Sequence, residues 1–129
     1  MFVLESTYDG AGTIVEIKPL TDSEAAAVGE GFKFSSGKLT KAGATTKPAY
    51  IGIQKVAAGA GKTVEAVAVR SDQVWVADYV SATTSVPAVG GKYAMDANSV
   101  KVDADTTTNG VVTIISVDTA KAKCRCKFE

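Results

Sequence analysis

Cys124 and Cys126 carry the most reactive side chains of the sequence, which has 129 residues and no histidine. Side chains two residues apart on a strand are held about 6 to 7 Å apart, which seldom allows a good disulfide. A structural zinc site needs four ligands, and no further cysteine or histidine supplies the other two. We therefore expect two reduced thiols that serve as small apolar residues, and no metal site.

Two further segments show parts of known ligand-binding motifs. Residues 59–63 end in Gly-Lys-Thr like a phosphate-binding P-loop, but Val56 stands where its first glycine belongs. The residues that follow alternate as a strand, whereas a P-loop needs a helix there. Asp103 and Asp105 have the spacing of calcium-loop ligands, but Thr108 stands where that loop needs glycine. Both segments are interpreted as ordinary loops.

The composition argues against an enzyme and against a nucleic-acid partner. Without histidine the chain lacks the commonest general base and the usual partner of a serine or cysteine nucleophile. A serine–lysine or a carboxylate pair stays open, although no spacing selects one. The 14 basic and 14 acidic side chains cancel, and the pI is near 6.3, which does not suit binding by counterion release. We expect no enzymatic activity, no cofactor and no nucleic-acid partner.

The N-terminal residues do not resemble an export signal. Glu5 stands where a signal peptide needs a basic region. No apolar stretch approaches the roughly 20 residues that a membrane-spanning helix requires. We expect no signal peptide, no membrane partner, and synthesis in the host cytoplasm.

The apolar residues and their alternation predict strands. Valine and isoleucine dominate the apolar set, leucine occurs only three times, and 12 glycines punctuate the chain. The strongest alternation, over 122–128, places cysteines and phenylalanine on one strand face and basic residues on the other. Strands are predicted at 13–17, 31–34, 49–54, 63–69, 73–79, 99–102, 111–117 and this C-terminal run. The fold class is all-β, a small antiparallel β-barrel or sandwich.

One segment favours a helix. Thr21 and Glu24 have capping-box spacing ahead of three alanines, and Gly29 can end the segment. A short helix or helical turn is therefore predicted near residues 22–28.

An offset of 61 residues aligns the chain with itself without a gap. Apolar positions keep their phase along this alignment, and the Ala-Val-Gly string at 27–29 recurs at 88–90. We interpret this as an internal repeat with two similar half-units that share one core. The predicted organisation is a single domain, 1–129, with these parts: a possible N-terminal arm at 1–12, a first half-unit at 25–69, a connector at 70–85 and a second half-unit at 86–128.

Three groups of residues are candidates for binding a partner. Residues 2–4 begin either an arm that adds to a neighbour's sheet or the first strand of the protein's own sheet. Trp75 is either core filling or an exposed anchor. The basic face of the C-terminal run is either lysine protection of an edge strand or a contact for an acidic surface. The candidate residues are Phe2, Val3, Leu4, Trp75, Lys121, Lys123, Arg125 and Lys127.

Several glycine-rich segments resemble small capsid decoration, or cement, proteins of tailed bacteriophages and prophages. The resemblance is carried by GEGFKF at 29–34, YIGIQ at 50–54, AAGAGKTV at 57–64 and VGGKYAMD at 89–96. It implies a β-rich structural protein of the virion that binds the outer surface of an expanded capsid and stabilises the shell. It also implies the major capsid protein as partner and a homo-oligomer, with a trimer favoured.

Two alternatives remain beside this interpretation. One is another virion part, such as a tail, head-completion or fibre-base component. The other is a carbohydrate-binding or adhesive β-module, in which Trp75, Tyr50 or Tyr79 would form a stacking platform.

Overall fold

A computed structural model describes residues 1–7 and 13–129, which form eleven strands and no helix. The predicted all-β class is confirmed. The sequence patterns missed β4 and β8, and the strand predicted at 99–102 overlaps β9 only at Val102. The strands are β1 (Phe2–Thr7), β2 (Val15–Pro19), β3 (Gly31–Ser35), β4 (Lys38–Lys41), β5 (Tyr50–Gly52), β6 (Thr63–Ala68), β7 (Gln73–Val80), β8 (Lys92–Met95), β9 (Val102–Asp103), β10 (Val112–Asp118) and β11 (Lys123–Phe128).

The strands form two sheets that each curl toward closure. One sheet has the order β1-β7-β11-β10-β8-β9, and a parallel pairing of β9 with β7 closes its last five strands into a barrel. The other has the order β2-β6-β5-β3-β4, and a parallel bridge between Leu20 and Leu39 joins the end of β2 to β4. We call β2 to β6 the first barrel and β7 to β11 the second barrel.

The two barrels have the same plan. The order β2-β6-β5-β3-β4 corresponds strand for strand to β7-β11-β10-β8-β9. The turn before β3 and the turn before β8 also match. Gly29, at φ +78°, donates to the carbonyl of Gly52, and Gly90, at φ +80°, donates to the carbonyl of Ile114. A left-handed backbone favours glycine at both turns.

The first strand of each barrel lies outside the half-units drawn from the sequence. β2 precedes the predicted bound at residue 25, and β7 lies in the stretch 70–85 interpreted as a connector. Both strands pair antiparallel with the strand next to them in their barrel. The repeating structural unit is therefore longer than the segment over which sequence similarity is visible.

The N-terminal residues form a strand of the protein's own sheet. β1 pairs antiparallel with β7, with Phe2 opposite Ala77. The Phe2 side chain is buried, and its ring centroid lies 5.0 Å from that of Phe128. Of the two interpretations of residues 2–4, the structure has the strand, and the rest of the possible arm, 8–12, lies outside the described residues.

The helix predicted near 22–28 is wrong. One turn is present, in which the amide of Glu24 donates to the carbonyl of Thr21. The Glu24 carboxylate accepts from a hydroxyl and an amide of β4 instead of capping a helix. Ala26 exchanges two backbone hydrogen bonds with Val56 at 2.8 and 3.0 Å. The Glu24 carboxylate and the Ala26 backbone thus form hydrogen bonds with residues distant in sequence. These bonds stabilise the extended conformation more than a two-turn helix would be stabilised by its own hydrogen bonds.

Ser99 ties the two barrels together. It is buried between β8 and β9, and its carbonyl accepts from the amide of Gly31 at 2.8 Å. Its hydroxyl accepts from the amide of Gly43 at 2.8 Å and donates to the Gly43 carbonyl at 3.1 Å. One buried side chain therefore satisfies two partly buried backbone groups of the other barrel.

Ser99→Ala should lower the free energy of unfolding by about 1–3 kcal/mol, because it leaves the amide and carbonyl of Gly43 without their partner. Urea unfolding followed by circular dichroism measures the change. The control is Ser36→Ala, since Ser36 also has a positive φ but is exposed; its effect should stay within about 0.5 kcal/mol. Equal effects of the two substitutions would contradict this role of Ser99.

Candidate functional site

Two of the residues predicted to contact a partner are part of the core. Trp75 is 1% exposed, and its ring centroid lies 5.9 Å from that of Phe128. Phe2 is 2% exposed on the other side of the same ring cluster. Leu4 packs against this cluster as well, while Val3 points outward. Burial therefore removes Trp75 and Phe2 from the contact residues and corrects that part of the prediction.

Buried Trp75 has a spectroscopic consequence. We expect its fluorescence in the native protein to be blue-shifted and barely quenched by iodide, because water does not reach the ring. Both properties should reverse in denaturant. Strong iodide quenching of the native protein would contradict the burial and would return Trp75 to the exposed residues.

The C-terminal strand β11 is an interior strand. It lies between β7 and β10 and pairs with both. The interpretation of its lysines as protection of a sheet edge is therefore wrong, because both sides of β11 are paired, with the adjacent β10 and with β7, which is distant in sequence. Its inward residues, Cys124, Cys126 and Phe128, are buried, as the alternation predicts.

The basic face of β11 is matched by carboxylates from its neighbours. Lys123 contacts Asp78 of β7 at 2.6 Å, and Arg125 contacts Glu5 of β1 at 2.6 Å. At the two ends, Lys127 pairs with Glu129 at 2.8 Å and Lys121 pairs with Asp118 at 3.9 Å. These exposed pairs add little stability. They do neutralise the charge that would attract an acidic partner.

The Asp78 carboxylate in this charged face accepts hydrogen bonds from two cationic groups. It accepts from Lys123 and also from the N-terminal ammonium group at 3.3 Å. The hydrogen bond from Lys123 contributes most to lowering the pKa of Asp78 below its usual value. The chain start is thereby held next to β7.

The two thiols lie inside the second barrel. Both are free and buried. A hydrogen bond between them lowers the pKa of Cys124, while the same bond and burial raise the pKa of Cys126 well above its usual value. Over 1–7 and 13–129, no three side chains of the metal-binding types come close enough to hold a metal ion.

The predicted Asp103 and Asp105 loop is held by hydroxyls and backbone amides. Asp105 accepts from Thr83, from Ser81 at 2.7 Å and from the amide of Ala82 at 2.6 Å. The hydrogen bond from Thr83 is the main reason why the pKa of Asp105 lies well below its usual range. This carboxylate fixes the loop after β7 to the loop after β9.

The surface of the described residues includes two concave regions. One, of about 490 Å³, lies between the barrels and is lined by small apolar side chains together with Glu30, Lys41 and Asn98. Glu30 is buried, accepts from the amide of Ala27 at 2.8 Å and pairs with Lys41 at 3.3 Å. Glu30 is therefore already satisfied within the protein. The other concave region, of about 250 Å³, lies over the charged face of β10 and β11.

The first barrel exposes a cluster of aromatic and charged side chains that the sequence patterns did not single out. Phe34 and Tyr50 meet edge to face with centroids 5.4 Å apart, and the Lys18 ammonium lies 5.6 and 5.7 Å from the two centroids. The hydroxyl of Tyr50 donates a hydrogen bond to Glu16, which raises the pKa of Tyr50 to about 12. This cluster lies on the inward face of β2. Phe34, 44% exposed, leaves it accessible to a partner.

The opposite face of β2 is apolar and exposed. Val15 is 52% exposed and Ile17 is 67% exposed, and Ile14 before the strand is exposed as well. The sequence predicts a strand here, and one face of such a strand is normally buried. Nothing in the alternation indicates that the apolar face of β2 stays exposed. The β2 strand, with the aromatic cluster on one face and valine and isoleucine on the other, is the candidate interaction site.

The chain matches no protein-family model and no curated protein at a significant level. Within the described residues, no helix is long and apolar enough to cross a membrane.

Glu16→Gln should return the pKa of Tyr50 from about 12 toward its ordinary value, because an amide no longer favours the protonated phenol. In the parent protein the hydrogen bond stabilises the fold fully below pH 10, and this stabilisation is lost as the pH rises through about 12. Absorbance titration of the tyrosines measures the shift.

Glu65→Gln is the matched control for this titration. Glu65 lies opposite Ile17 on the neighbouring strand and is exposed on the outer face. It should leave the Tyr50 titration unchanged. A Tyr50 pKa that stays near 12 in Glu16→Gln would contradict the assigned hydrogen bond.

Proposed function

We propose that this protein is a structural component of a phage or prophage virion that binds the outer surface of the capsid and stabilises the shell. Its partner is the major capsid protein. The protein acts as a homo-oligomer, for which the resemblance implies a trimer. The proposal concerns binding only, and no chemical step is assigned to the protein.

The observation that carries the proposal is where the resembling segments lie. The segments at 29–34 and 89–96 are the glycine turns that lead into β3 and β8, at matching positions in the two barrels. The segments at 50–54 and 57–64 contain β5 and lead into β6. The resemblance to decoration proteins thus follows the repeated plan of the fold rather than one isolated loop.

The surface of the first barrel supports a binding role. Val15 and Ile17 expose apolar area that gains free energy when a partner covers it. A homo-oligomer that presents this area several times to a repeating capsid lattice gains avidity without stronger single contacts. Weak individual sites are then sufficient for stable decoration.

The carbohydrate-binding alternative loses its main residue. Trp75 is in the core, and Tyr79 packs against the same core cluster. Tyr50 is held by Glu16 and by the edge of Phe34. A flat stacking platform built from these three side chains does not form in this arrangement.

Binding to shells tests the proposal. The purified protein should co-sediment with expanded shells of the major capsid protein encoded in the same phage or prophage, and should raise their disruption temperature. Unexpanded shells are the control. Protein that stays in the supernatant with matched expanded shells would overturn the proposal, and binding at one vertex alone would favour the head-completion alternative.

A further inference from the structure

The two barrels differ at one sheet edge. On the side of β7 that faces away from β11, the chain places β1 next to residues 73–77 and β9 next to residues 79–80. On the matching side of β2, only the bridge between Leu20 and Leu39 is present. Among the described residues, no strand lies along β2 where β1 lies along β7.

The backbone of β2 is oriented to accept such a strand. Leu20 donates to the carbonyl of Lys62, and Ala68 donates to the carbonyl of Ile14, so the even-numbered residues of β2 face β6. In an antiparallel ladder, the amide and carbonyl groups of the residues between them point the opposite way. The backbone groups of Val15 and Ile17 therefore point to the open edge, and none of the described residues hydrogen-bonds to them.

The open stretch is short and does not suit a second copy of this chain. The bridge at Leu20 brings β4 against the end of β2, which leaves residues 14–18 for a new strand. A second β2 laid antiparallel over this whole stretch would place Glu16 directly opposite Glu16 of the other copy. Like charges directly opposite each other destabilise a strand pair. The edge therefore favours a segment of a different chain.

We propose that an extended segment of the major capsid protein adds to β2 as an antiparallel strand, in the position that β1 takes on β7. This inference rests on the proposed function and names its binding site. Main-chain hydrogen bonds to Val15 and Ile17 supply affinity, and alternate side chains supply specificity.

The chemistry of the added segment follows from the two faces of β2. Apolar side chains of the segment lie beside exposed Val15 and Ile17 on the outer face. On the inner face, an apolar side chain covers Phe34, as Phe2 of β1 covers the ring of Phe128 in the second barrel. The segment thus carries apolar side chains on both faces, as β1 does over its apolar residues 2–4.

Hydrogen exchange on the parent protein gives the first test. In the free protein, the amides of Val15 and Ile17 should exchange quickly, while those of Glu16 and Lys18, which face β6, exchange slowly. On matched expanded shells, the peptide that covers residues 13–20 should gain protection equivalent to the two edge amides. Bound protein without this added protection would overturn the inference.

Substitutions at the edge give the second test. Ile17→Pro removes an edge amide that β6 does not use, and Val15→Asp places a charge on the exposed face. Each should weaken shell binding at least about tenfold, the effect of losing about 1.4 kcal/mol. The matched control is Val86→Asp, because Val86 is 51% exposed and belongs to the segment between β7 and β8; it should bind like the parent. Circular dichroism melting verifies that each variant is folded.

The outcomes separate the inference from the proposed function. Shell binding by the parent and equally by the edge variants would overturn the strand-addition site and leave the capsid role standing. Failure of the parent itself to bind matched shells would overturn both. A mass in light scattering that falls on Ile17→Pro would identify a second copy as the occupant and would overturn the choice of partner.

Discussion

Unpaired backbone groups at the edge of a sheet need a hydrogen-bond partner, and this constraint organises both barrels. In the second barrel, the outer side of β7 is paired along its length, because β9 closes the barrel and β1 pairs with the rest of that side. In the first barrel, the matching side of β2 is paired only at Leu20, through the bridge to Leu39. Phe2 of the added strand β1 is buried, whereas Val15 and Ile17 lie on a strand without such a neighbour and stay exposed. Among residues 1–7 and 13–129, the site proposed for a partner is thus a place where the first barrel lacks a strand that the second barrel has.

The barrels also depend on each other. Ile51 and Val67, on the outer face of the first barrel, belong to the same buried cluster as the aromatic core of the second. Ser99 adds directional hydrogen bonds across this joint. Apolar contact supplies the free energy of the joint, and the hydrogen bonds determine its geometry. These contacts define how the first barrel, with its β2 edge, is placed against the second.

The errors of the sequence analysis share a cause. The capping pattern of Thr21 and Glu24 is genuine, but Glu24 is used by β4, which is distant in sequence. The basic face of β11 is genuine as well, but carboxylates such as Glu5 and Asp78 come from strands that the local pattern cannot bring there. Trp75 alternates with valines whether it lies inside or outside, so its side of the sheet is decided by which face the barrel encloses. Local periodicity indicates the secondary structure but does not indicate which strands pair with each other.

The sequence by itself determined the all-β class, most strand positions and the burial of the two thiols, because alternation and glycine turns are local properties. Only the tertiary structure decided which strands are neighbours, and with that the neutralised charge of β11, the aromatic cluster around Tyr50 and the open edge of β2. Hydrogen-bond pairing between distant strands has no signature in either strand alone, so these features arise only when the barrels close.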